Sequence, residues 1–253
     1  MDCFRGTNRR RTIIAMGVQI LQQAQGVSFI NNFIVTFMKQ LGFADPLQYN
    51  VIVLACGIVA NLVSLFTFDK LGRRSSMFVG AFFMAAMMIG VGGTTANGYE
   101  VLSPVTQNGC IAMLVLWYVF YALSWGPGVW ILGGEIGTGQ LRERTLLLSS
   151  LGSFVTSVPI NFVNPYVQAA IGGRTAIIYG SFSVAAMVFV YFFLPETKDR
   201  SLEELDEMFQ HKVATRKFKD YVCTGLGAQI RQLEDEEDEA RSKCRQIEHV
   251  EVA

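Results

Sequence analysis

The chain of 253 residues is 51% hydrophobic and only 17% charged, and its 21 Lys and Arg balance its 21 Asp and Glu. Average soluble domains are about 25% charged, so this composition disfavours an ordinary soluble domain, a disordered protein and a nucleic-acid binder with a strong basic field. The five cysteines are widely spaced, and both histidines lie near the carboxyl end. This pattern indicates neither a disulfide framework nor a metal site, and we expect no cofactor.

Six long stretches of the first 194 residues contain no charged side chain. Each is long enough for a bilayer-spanning helix, which needs about 20 mostly apolar residues. We therefore predict an all-α membrane protein whose spans are Thr12–Met38, Tyr49–Phe68, Ser76–Thr95, Cys110–Leu132, Thr145–Ile171 and Ala176–Leu194. The alternative is burial of these helices inside a large soluble protein. That alternative requires surrounding amphipathic helices, which residues 1–194 do not offer.

The basic residues predict the orientation, because short cytoplasmic loops are rich in Lys and Arg. They cluster before the first predicted span, after the second and after the fourth, whereas the opposite loops hold only Lys39 and Arg174. Both termini are therefore predicted to be cytoplasmic. Residues 1–11 form an amino-terminal segment, residues 12–194 the membrane domain and residues 195–253 a charged tail.

The tail holds 15 of the 21 acidic residues. Ser201 is followed by Glu203 and Glu204, and this order predicts a short amphipathic helix over residues 201–209 with a serine cap. Residues 234–239 form an unbroken acidic run. Such a run is typical of a solvated, partly disordered segment, and we assign no chemistry to it.

Amides and hydroxyls are concentrated in the first predicted span. Polar side chains in lipid tend to face a bundle interior or an aqueous cavity. Gln22, Gln25 and Asn32 lie along one broad face, which Gln19 and Ser28 extend. This stripe suits an uncharged, hydroxylated solute. The alternative is that these amides only hydrogen-bond neighbouring helices.

A second cluster lies in the fourth predicted span, where Trp125 and Trp130 enclose Gly126, Pro127 and Gly128. Proline removes a backbone donor and glycine loosens a helix, so these three residues predict a helix break of the kind that lines transporter sites. Trp130 offers a flat apolar face for a sugar ring. Trp125 is equally consistent with an anchor at the membrane interface.

The Asp, Glu, Lys, Arg and His residues lie outside the six predicted spans, and Asp69 and Glu135 are close to span ends. The spans contain no pair of acids for glycosidic hydrolysis and no nucleophile beside a base. We therefore predict that the protein is not an enzyme.

Four short motifs lie on or beside the predicted spans: Gln22-Gln23-x-x-Gly26, Asp69-Lys70-Leu71-Gly72-Arg73-Arg74, Trp125-Gly126-Pro127-x-x-Trp130-x-x-x-x-Glu135 followed by Arg142, and Pro195-Glu196-Thr197-Lys198. In sequence, order and position they resemble the motifs of the major facilitator sugar porters. The resemblance covers about residues 10–210 and corresponds to the carboxyl-terminal six helices of a fold built from two six-helix halves. Fungal hexose and α-glucoside permeases are similar.

The resemblance implies transport of a sugar by alternating access in the plasma membrane, together with an amino-terminal six-helix half. Gln22, Gln23 and Trp130 match sugar-contacting positions of the family. Ser28 and Asn32 stand where the family usually has asparagine and an aromatic residue, which implies an altered pocket for a hexose, an α-glucoside or another polyol. The family's proton-coupling acid lies on a helix of the other half, so protons stay open as the coupling ion.

The resemblance also implies a charge network that holds the cytoplasmic helix ends together in one state of the cycle. Its members are Asp69, Arg73, Arg74, Glu135 and Arg142. The alternative is that the arginines only fix the topology and bind anionic headgroups.

Other functions stay open at this point. One is a transporter-like sensor that binds a solute and signals through residues 195–253, and another is a non-functional truncated half. Because the resemblance covers one half of the family fold, we expect a fragment or a truncated gene model rather than a half-size transporter.

Overall fold

In the computed structural model the chain is helical, with no strand among the residues that the structure describes. These are residues 2–4, 6–40, 45–95, 103–137, 141–198, 200–218, 221, 223–225 and 229. The acidic run at 234–239 lies outside them.

The described α-helices are numbered in chain order. They are α1 Asn8–Gln22, α2 Ser28–Gln40, α3 Pro46–Leu71, α4 Arg73–Thr94, α5 Pro104–Leu123, α6 Trp125–Ile136, α7 Arg142–Ile171, α8 Thr175–Phe193 and α9 Leu202–Gln210. A π-helical turn, Gln23–Val27, joins α1 to α2, and a 3-10 turn, Gly172–Arg174, joins α7 to α8.

Five helical stretches are long and apolar enough to cross a membrane: Asn8–Lys39, Pro46–Leu71, Arg73–Thr94, Val105–Ile136 and Arg142–Phe193. The last contains both α7 and α8, so the six predicted spans correspond to α1–α2, α3, α4, α5–α6, α7 and α8. The helices begin before the charge-free windows. Proline occupies the first position of α3 and α5, where its missing N–H would have had no helical partner.

The helices pack in a few closely joined groups: α4 contacts α5 and α8, α3 contacts α5, and α1 contacts α6 and α7. Gly57 of α3 lies against the ring of Tyr118 of α5, so a larger residue there would displace that ring. Large side chains such as Trp117 and Phe29 fill the core and have no exposed surface.

The outer surface of the bundle is strongly apolar. Val105 is 82% exposed, Phe66 73% and Phe162 72%. Soluble monomers rarely expose contiguous apolar patches of this kind. These side chains are suited to contact with lipid or with further protein.

The start of the tail packs against one end of the bundle. Ser201 accepts a hydrogen bond from the Glu204 amide at 3.2 Å, and the Glu204 side chain accepts one from the Ser201 amide at 3.0 Å. This reciprocal cap confirms the predicted helix start. Arg11 is only 2% exposed, pairs with Asp206 and lies 4.5 Å from the ring centroid of Phe209. The first turn of α1 and the tail therefore lie at the same end.

Candidate functional site

The first predicted span is interrupted within the polar stripe. Gly26 has φ 106° and ψ 15° inside the π-helical turn, a conformation that residues with a β-carbon rarely adopt. A β-carbon added at Gly26 would lie 3.0 Å from Cγ of Tyr179 on α8. Both backbone conformation and space therefore require glycine at this break.

The span formed by α5 and α6 is interrupted at Ser124, whose φ and ψ are −130° and −72°. Gly126, Pro127 and Gly128, the residues predicted to break the helix, instead lie in the first turn of α6. Proline is tolerated there because first-turn N–H groups have no intrahelical acceptor. The interruption thus immediately precedes the predicted segment.

Gln22 joins the two interruptions. Its amide nitrogen donates to the carbonyl oxygens of Trp125 at 2.9 Å and Gly126 at 3.5 Å, and contacts the hydroxyl of Tyr121 at 3.2 Å. Gln22 is only 3% exposed. In this structure it therefore hydrogen-bonds a neighbouring helix, as the alternative interpretation of the stripe expected, and its contact with sugar stays a prediction.

Two further hydrogen bonds connect the first span to α7, one on each side of the Gly26 break. The amide nitrogen of Gln23 donates to the Ser153 hydroxyl at 2.9 Å, and that of Asn32 donates to the amide oxygen of Asn161 at 3.0 Å. Ser28 donates to the Gln23 amide oxygen at 3.1 Å. We call the seven residues that make these contacts the polar cluster: Gln22, Gln23, Ser28, Asn32, Tyr121, Ser153 and Asn161.

The remaining glutamines of the stripe are enclosed by protein. Gln19 and Gln25 have no exposed surface, and no described protein group hydrogen-bonds their amides. An amide in this position is costly in a membrane interior. These two glutamines therefore lie in the interior of the bundle, and the stripe is not simply the wall of an accessible cavity.

The two tryptophans of the fourth predicted span differ. Trp125 has no exposed surface, and its indole N–H donates to the carbonyl oxygen of Met77 at 3.0 Å. The interface-anchor alternative for Trp125 is therefore wrong. Trp130 is 50% exposed, so its indole can contact a solute or a further protein unit. Its predicted contact with sugar is not tested by this geometry.

Charged side chains meet at the same end of the bundle as the tail. Arg73 bonds Glu135 with nitrogen–oxygen distances of 3.1 and 3.2 Å, and the Thr197 hydroxyl donates to the other Glu135 oxygen at 2.6 Å. Asp69 lies 3.7 Å from Arg73 but is 78% exposed, so it adds little to this cluster.

Glu196 is a member of this cluster that sequence reasoning did not single out. Its carboxylate accepts hydrogen bonds from the backbone amides of Arg73 at 2.9 Å and of Thr197 and Lys198 at 3.2 Å. Its carboxylate also lies at the start of α4, where the helix dipole favours a negative charge. The motif at residues 195–198 was the available signal, although it gave no partner for Glu196.

The other two predicted members contact different groups. Arg74 donates to the carbonyl oxygen of Tyr191 on α8 at 2.7 Å. Arg142 is exposed at the start of α7, and its guanidinium lies beside Gly134. Two ion pairs lie at this end of the bundle, Arg73 with Glu135 and Arg11 with Asp206. We call this end the charged end. Among the described residues, no group of three or more His, Cys, Asp or Glu could hold a metal ion.

Comparison with known proteins places this arrangement in a family. The sugar (and other) transporter family matches residues 1–209. The chain belongs to this family. The predicted resemblance to major facilitator sugar porters and the predicted all-α membrane fold are thereby confirmed.

The chain is similar to transporters of fungi and bacteria. It is 29% identical over 246 residues to the high-affinity glucose transporter of Kluyveromyces lactis, covering 87% of this chain and 44% of that protein. It is 30% identical over 225 residues to the probable glucose transporter rco-3 of Neurospora crassa, covering 83% and 38%. The proton:xylose symporter XylE bound to 6-bromo-6-deoxy-D-glucose aligns with a TM-score of 0.68 and 25% identity, over 78% of this chain and 42% of that one. The chain thus spans about two fifths of these proteins.

Proposed function

We propose that this chain forms one side of the sugar pathway of an alternating-access transporter and works with a second six-helix unit. The observation that carries the proposal is the hydrogen bond from Gln22 to the Trp125 carbonyl, because it joins two interrupted helices. Interrupted helices in contact are typical of transporter binding sites. The names of the relatives, glucose transporters and a xylose symporter, support a monosaccharide or a related sugar as substrate.

Exposed polar groups indicate where the second unit would pack. Asn32 and Asn61 are exposed although they lie on predicted spans, and amides facing lipid are costly. We propose that they face an aqueous sugar cavity between the two units, together with Trp130 and Gln23. Ser28 is buried and would orient Gln23 rather than contact sugar directly.

The charged end would act as a latch on the cytoplasmic side. The concentration of Arg and Lys at this end supports its cytoplasmic location, with both termini on that side of the plasma membrane. Arg73 and Glu135 link α4 to α6, so breaking this pair would let the helix ends separate. Arg74 and Arg142 are placed to contact anionic headgroups instead.

The polar cluster consists of amides and hydroxyls, none of which changes its protonation state near neutral pH. If transport is coupled to protons, we therefore propose that the coupling acid belongs to the second unit.

Uptake of labelled glucose tests this function. A host without sugar transporters would produce the chain alone and the chain fused to the amino-terminal half of the Kluyveromyces lactis relative. We expect uptake only by the fusion, and expect Trp130→Ala to raise KM about 5- to 150-fold, the effect of losing an anchor worth about 1–3 kcal/mol. The matched control is Ser181→Ala on α8, because Ser181 is exposed and donates only within its own helix at Ile178. A fusion that reaches the membrane and carries no sugar would refute the proposal.

The latch requires a separate measurement. Glu135→Gln keeps the side-chain shape but removes the charge that pairs with Arg73. We expect the maximal uptake rate to change several-fold while KM stays within about twofold, because Glu135 lies ten residues, or about 15 Å along α6, from the Trp125 carbonyl that Gln22 contacts. A change confined to KM would contradict the latch.

The docked tail favours a second candidate, a sensor that signals through its tail. The pairing of Arg11 with Asp206 offers a route by which movement of α1 reaches α9. Removal of residues 195–253 should then abolish a sugar-dependent transcriptional response while sugar binding persists. An unchanged response would exclude the sensor.

A further inference from the structure

The loop that follows α9 returns to the first turn of α1. Phe218 of this loop has no exposed surface, and its ring lies edge-on to that of Phe209 with the centroids 5.2 Å apart. The guanidinium of Arg10 lies 5.6 Å from the Phe209 centroid and 6.0 Å from the Phe218 centroid. Two buried aromatic rings therefore help to fix the position of this cation.

Arg10 hydrogen-bonds neutral groups of the loop. Its terminal nitrogens donate to the Val213 carbonyl oxygen at 2.9 Å and to the Thr215 hydroxyl at 2.8 Å. A guanidinium carries five N–H donors, so three remain for a further acceptor. The adjacent residue, Arg11, is paired with Asp206. Among the described residues, the half-buried Arg10 has no carboxylate partner of the kind that its neighbour has.

Four Ser and Thr residues of the tail lie in the part of the chain that the structure describes, and three of them adjoin a carboxylate. They are Thr197 beside Glu135, Ser201 beside Glu204 and Thr224 beside Glu207. A phosphate on any of these three hydroxyls would be repelled by the neighbouring acid. Thr215 instead adjoins a cation, so a negative charge there would be attracted.

The segment around Thr215 is basic and accessible. Lys212, Arg216 and Lys217 are exposed, and Thr215 itself is half-buried at the start of a 3-10 turn. The sequence contains no acidic residue from position 211 to position 218. A protein kinase with an acidic substrate groove is complementary to this segment, since charge patterns contribute to the choice of kinase substrates.

We propose that Thr215 is a phosphorylation site and that the guanidinium of Arg10 receives the phosphate, which fixes the loop on the first turn of α1. A protein kinase transfers the γ-phosphoryl group of ATP. The Thr215 oxygen bonds to the γ-phosphorus, the bond from that phosphorus to the bridging oxygen breaks, and ADP and the hydroxyl proton leave. The phosphate brings a charge of about −1.5 to −2 and three acceptor oxygens. These oxygens lie next to the unused N–H groups of Arg10 and can form charge-assisted, bidentate hydrogen bonds with them.

Hydrogen exchange tests this assignment on the full solubilised chain, without any measurement of transport. Phosphothreonine would be placed at position 215 by genetic code expansion, and half of the sample would then be treated with a phosphatase. We expect the amides of α9 to exchange about tenfold more slowly in the phosphorylated half, the effect of one or two charge-assisted hydrogen bonds on the opening of the docked tail. Equal exchange in the two halves would overturn the proposal.

Variants of Arg10 distinguish a specific contact from a general effect of charge. Arg10→Gln should abolish the slowing that phosphothreonine at position 215 causes, and Arg10→Lys should retain part of it because it keeps the cation. Each variant is compared with its own dephosphorylated half, so weaker docking in the variant itself does not affect the result. The same slowing in Arg10→Gln would overturn the role of Arg10.

Thr224 provides the matched control position. It is exposed in the same tail, but its hydroxyl lies 3.4 Å from the Glu207 carboxylate. Phosphothreonine at position 224 should speed the exchange or leave it unchanged, and a slowing equal to that at position 215 would contradict a specific site. Mass spectrometry of the chain from a yeast host, prepared with phosphatase inhibitors, should find phosphate on Thr215. Its absence would contradict a site that is used in cells.

Discussion

The polar cluster and the charged end both join helices, but they use different chemistry. In the polar cluster, Gln22 and Gln23 bond carbonyls and hydroxyls without any formal charge. At the charged end, guanidinium and carboxylate groups pair, and Arg73 and Glu135 keep 18% and 23% of their side-chain surface exposed. A charge in the hydrocarbon region is expensive, whereas water is close at a helix end. Position along the membrane normal therefore decides which polar residue can connect two helices.

Gln22→Glu should have the largest effect on stability, because it replaces a neutral amide of the polar cluster with a carboxylate like those of the charged end. An ionised carboxylate cannot donate to the Trp125 carbonyl that Gln22 contacts at 2.9 Å. The uncompensated buried charge should lower the free energy of unfolding by about 3–5 kcal/mol at neutral pH. Denaturant unfolding of the solubilised protein measures this loss. The loss should shrink as the pH falls, because the protonated acid can donate a hydrogen bond again.

The control for this exchange is Gln48→Glu. Gln48 is exposed in the first turn of α3, where the helix dipole favours a negative charge. Its free energy of unfolding should change by less than about 0.5 kcal/mol. Similar losses for both variants would show that the two regions do not differ as described.

Asp206→Asn should have the next largest effect, within the charged end. It would leave the guanidinium of Arg11, which is 2% exposed, without its carboxylate. We expect a loss of about 2–3 kcal/mol in the docking of α9, since an unpaired buried charge is costly. Limited proteolysis of residues 195–218 reports this docking. Asp69→Asn is the matched control because Asp69 is 78% exposed, and comparable cleavage of both variants would argue against the Arg11 pair.

Gly26→Ala tests whether backbone geometry maintains the interruption in the polar cluster. With φ at 106° and Tyr179 3.0 Å from a new β-carbon, alanine should cost about 2 kcal/mol. Thermal unfolding of the solubilised protein compares it with Gly93→Ala. Gly93 lies within α4 with no atom near its missing β-carbon, so alanine there should be neutral or stabilising by up to about 1 kcal/mol. A neutral Gly26→Ala would show that the break is not specified by glycine.

The smallest effect concerns Glu207 in the tail. Hydrogen bonds from the backbone amides of Thr224 and Gly225, both at 3.0 Å, lower the pKa of Glu207 below its usual 4.5. A lowered pKa stabilises the folded tail above pH 4.5, and that contribution is lost as the pH falls through the lower, folded value. Protease cleavage around residues 211–225 should therefore increase slightly below pH 4.5. Glu207→Gln should remove the pH dependence, whereas Glu203→Gln, at an exposed position, should retain it.

Local sequence patterns predicted where the membrane-spanning helices and the tail helix lie. Charge-free windows located the spans because a helix in lipid satisfies its own backbone groups and needs only length and apolar side chains. The Ser201 cap is also local, since its partner is three residues away. The helix break was located within a few residues, because proline in a first turn does not interrupt a helix while Ser124 just before it does.

Long-range partners were not predictable in the same way. The pairs Gln22 with Trp125, Arg73 with Glu196 and Arg11 with Asp206 are separated by 103, 123 and 195 residues. Each depends on how helices rotate and slide against one another, which periodicity does not specify. The assignment of Trp125 to the core and of Trp130 to an exposed face depends on the same packing.

The amino-acid sequence was enough to predict a membrane-spanning sugar-porter domain with uncharged polar groups in its first span and charges at its helix ends. Hydrophobicity and short motifs encode these properties residue by residue. The packing of the helices sets which of those groups meet. Gln22 hydrogen-bonds Trp125 and so connects two interrupted helices, and Asn32 hydrogen-bonds Asn161 on α7. Side-chain hydrogen bonds act over about 3 Å, so only the packed helices determine their partners.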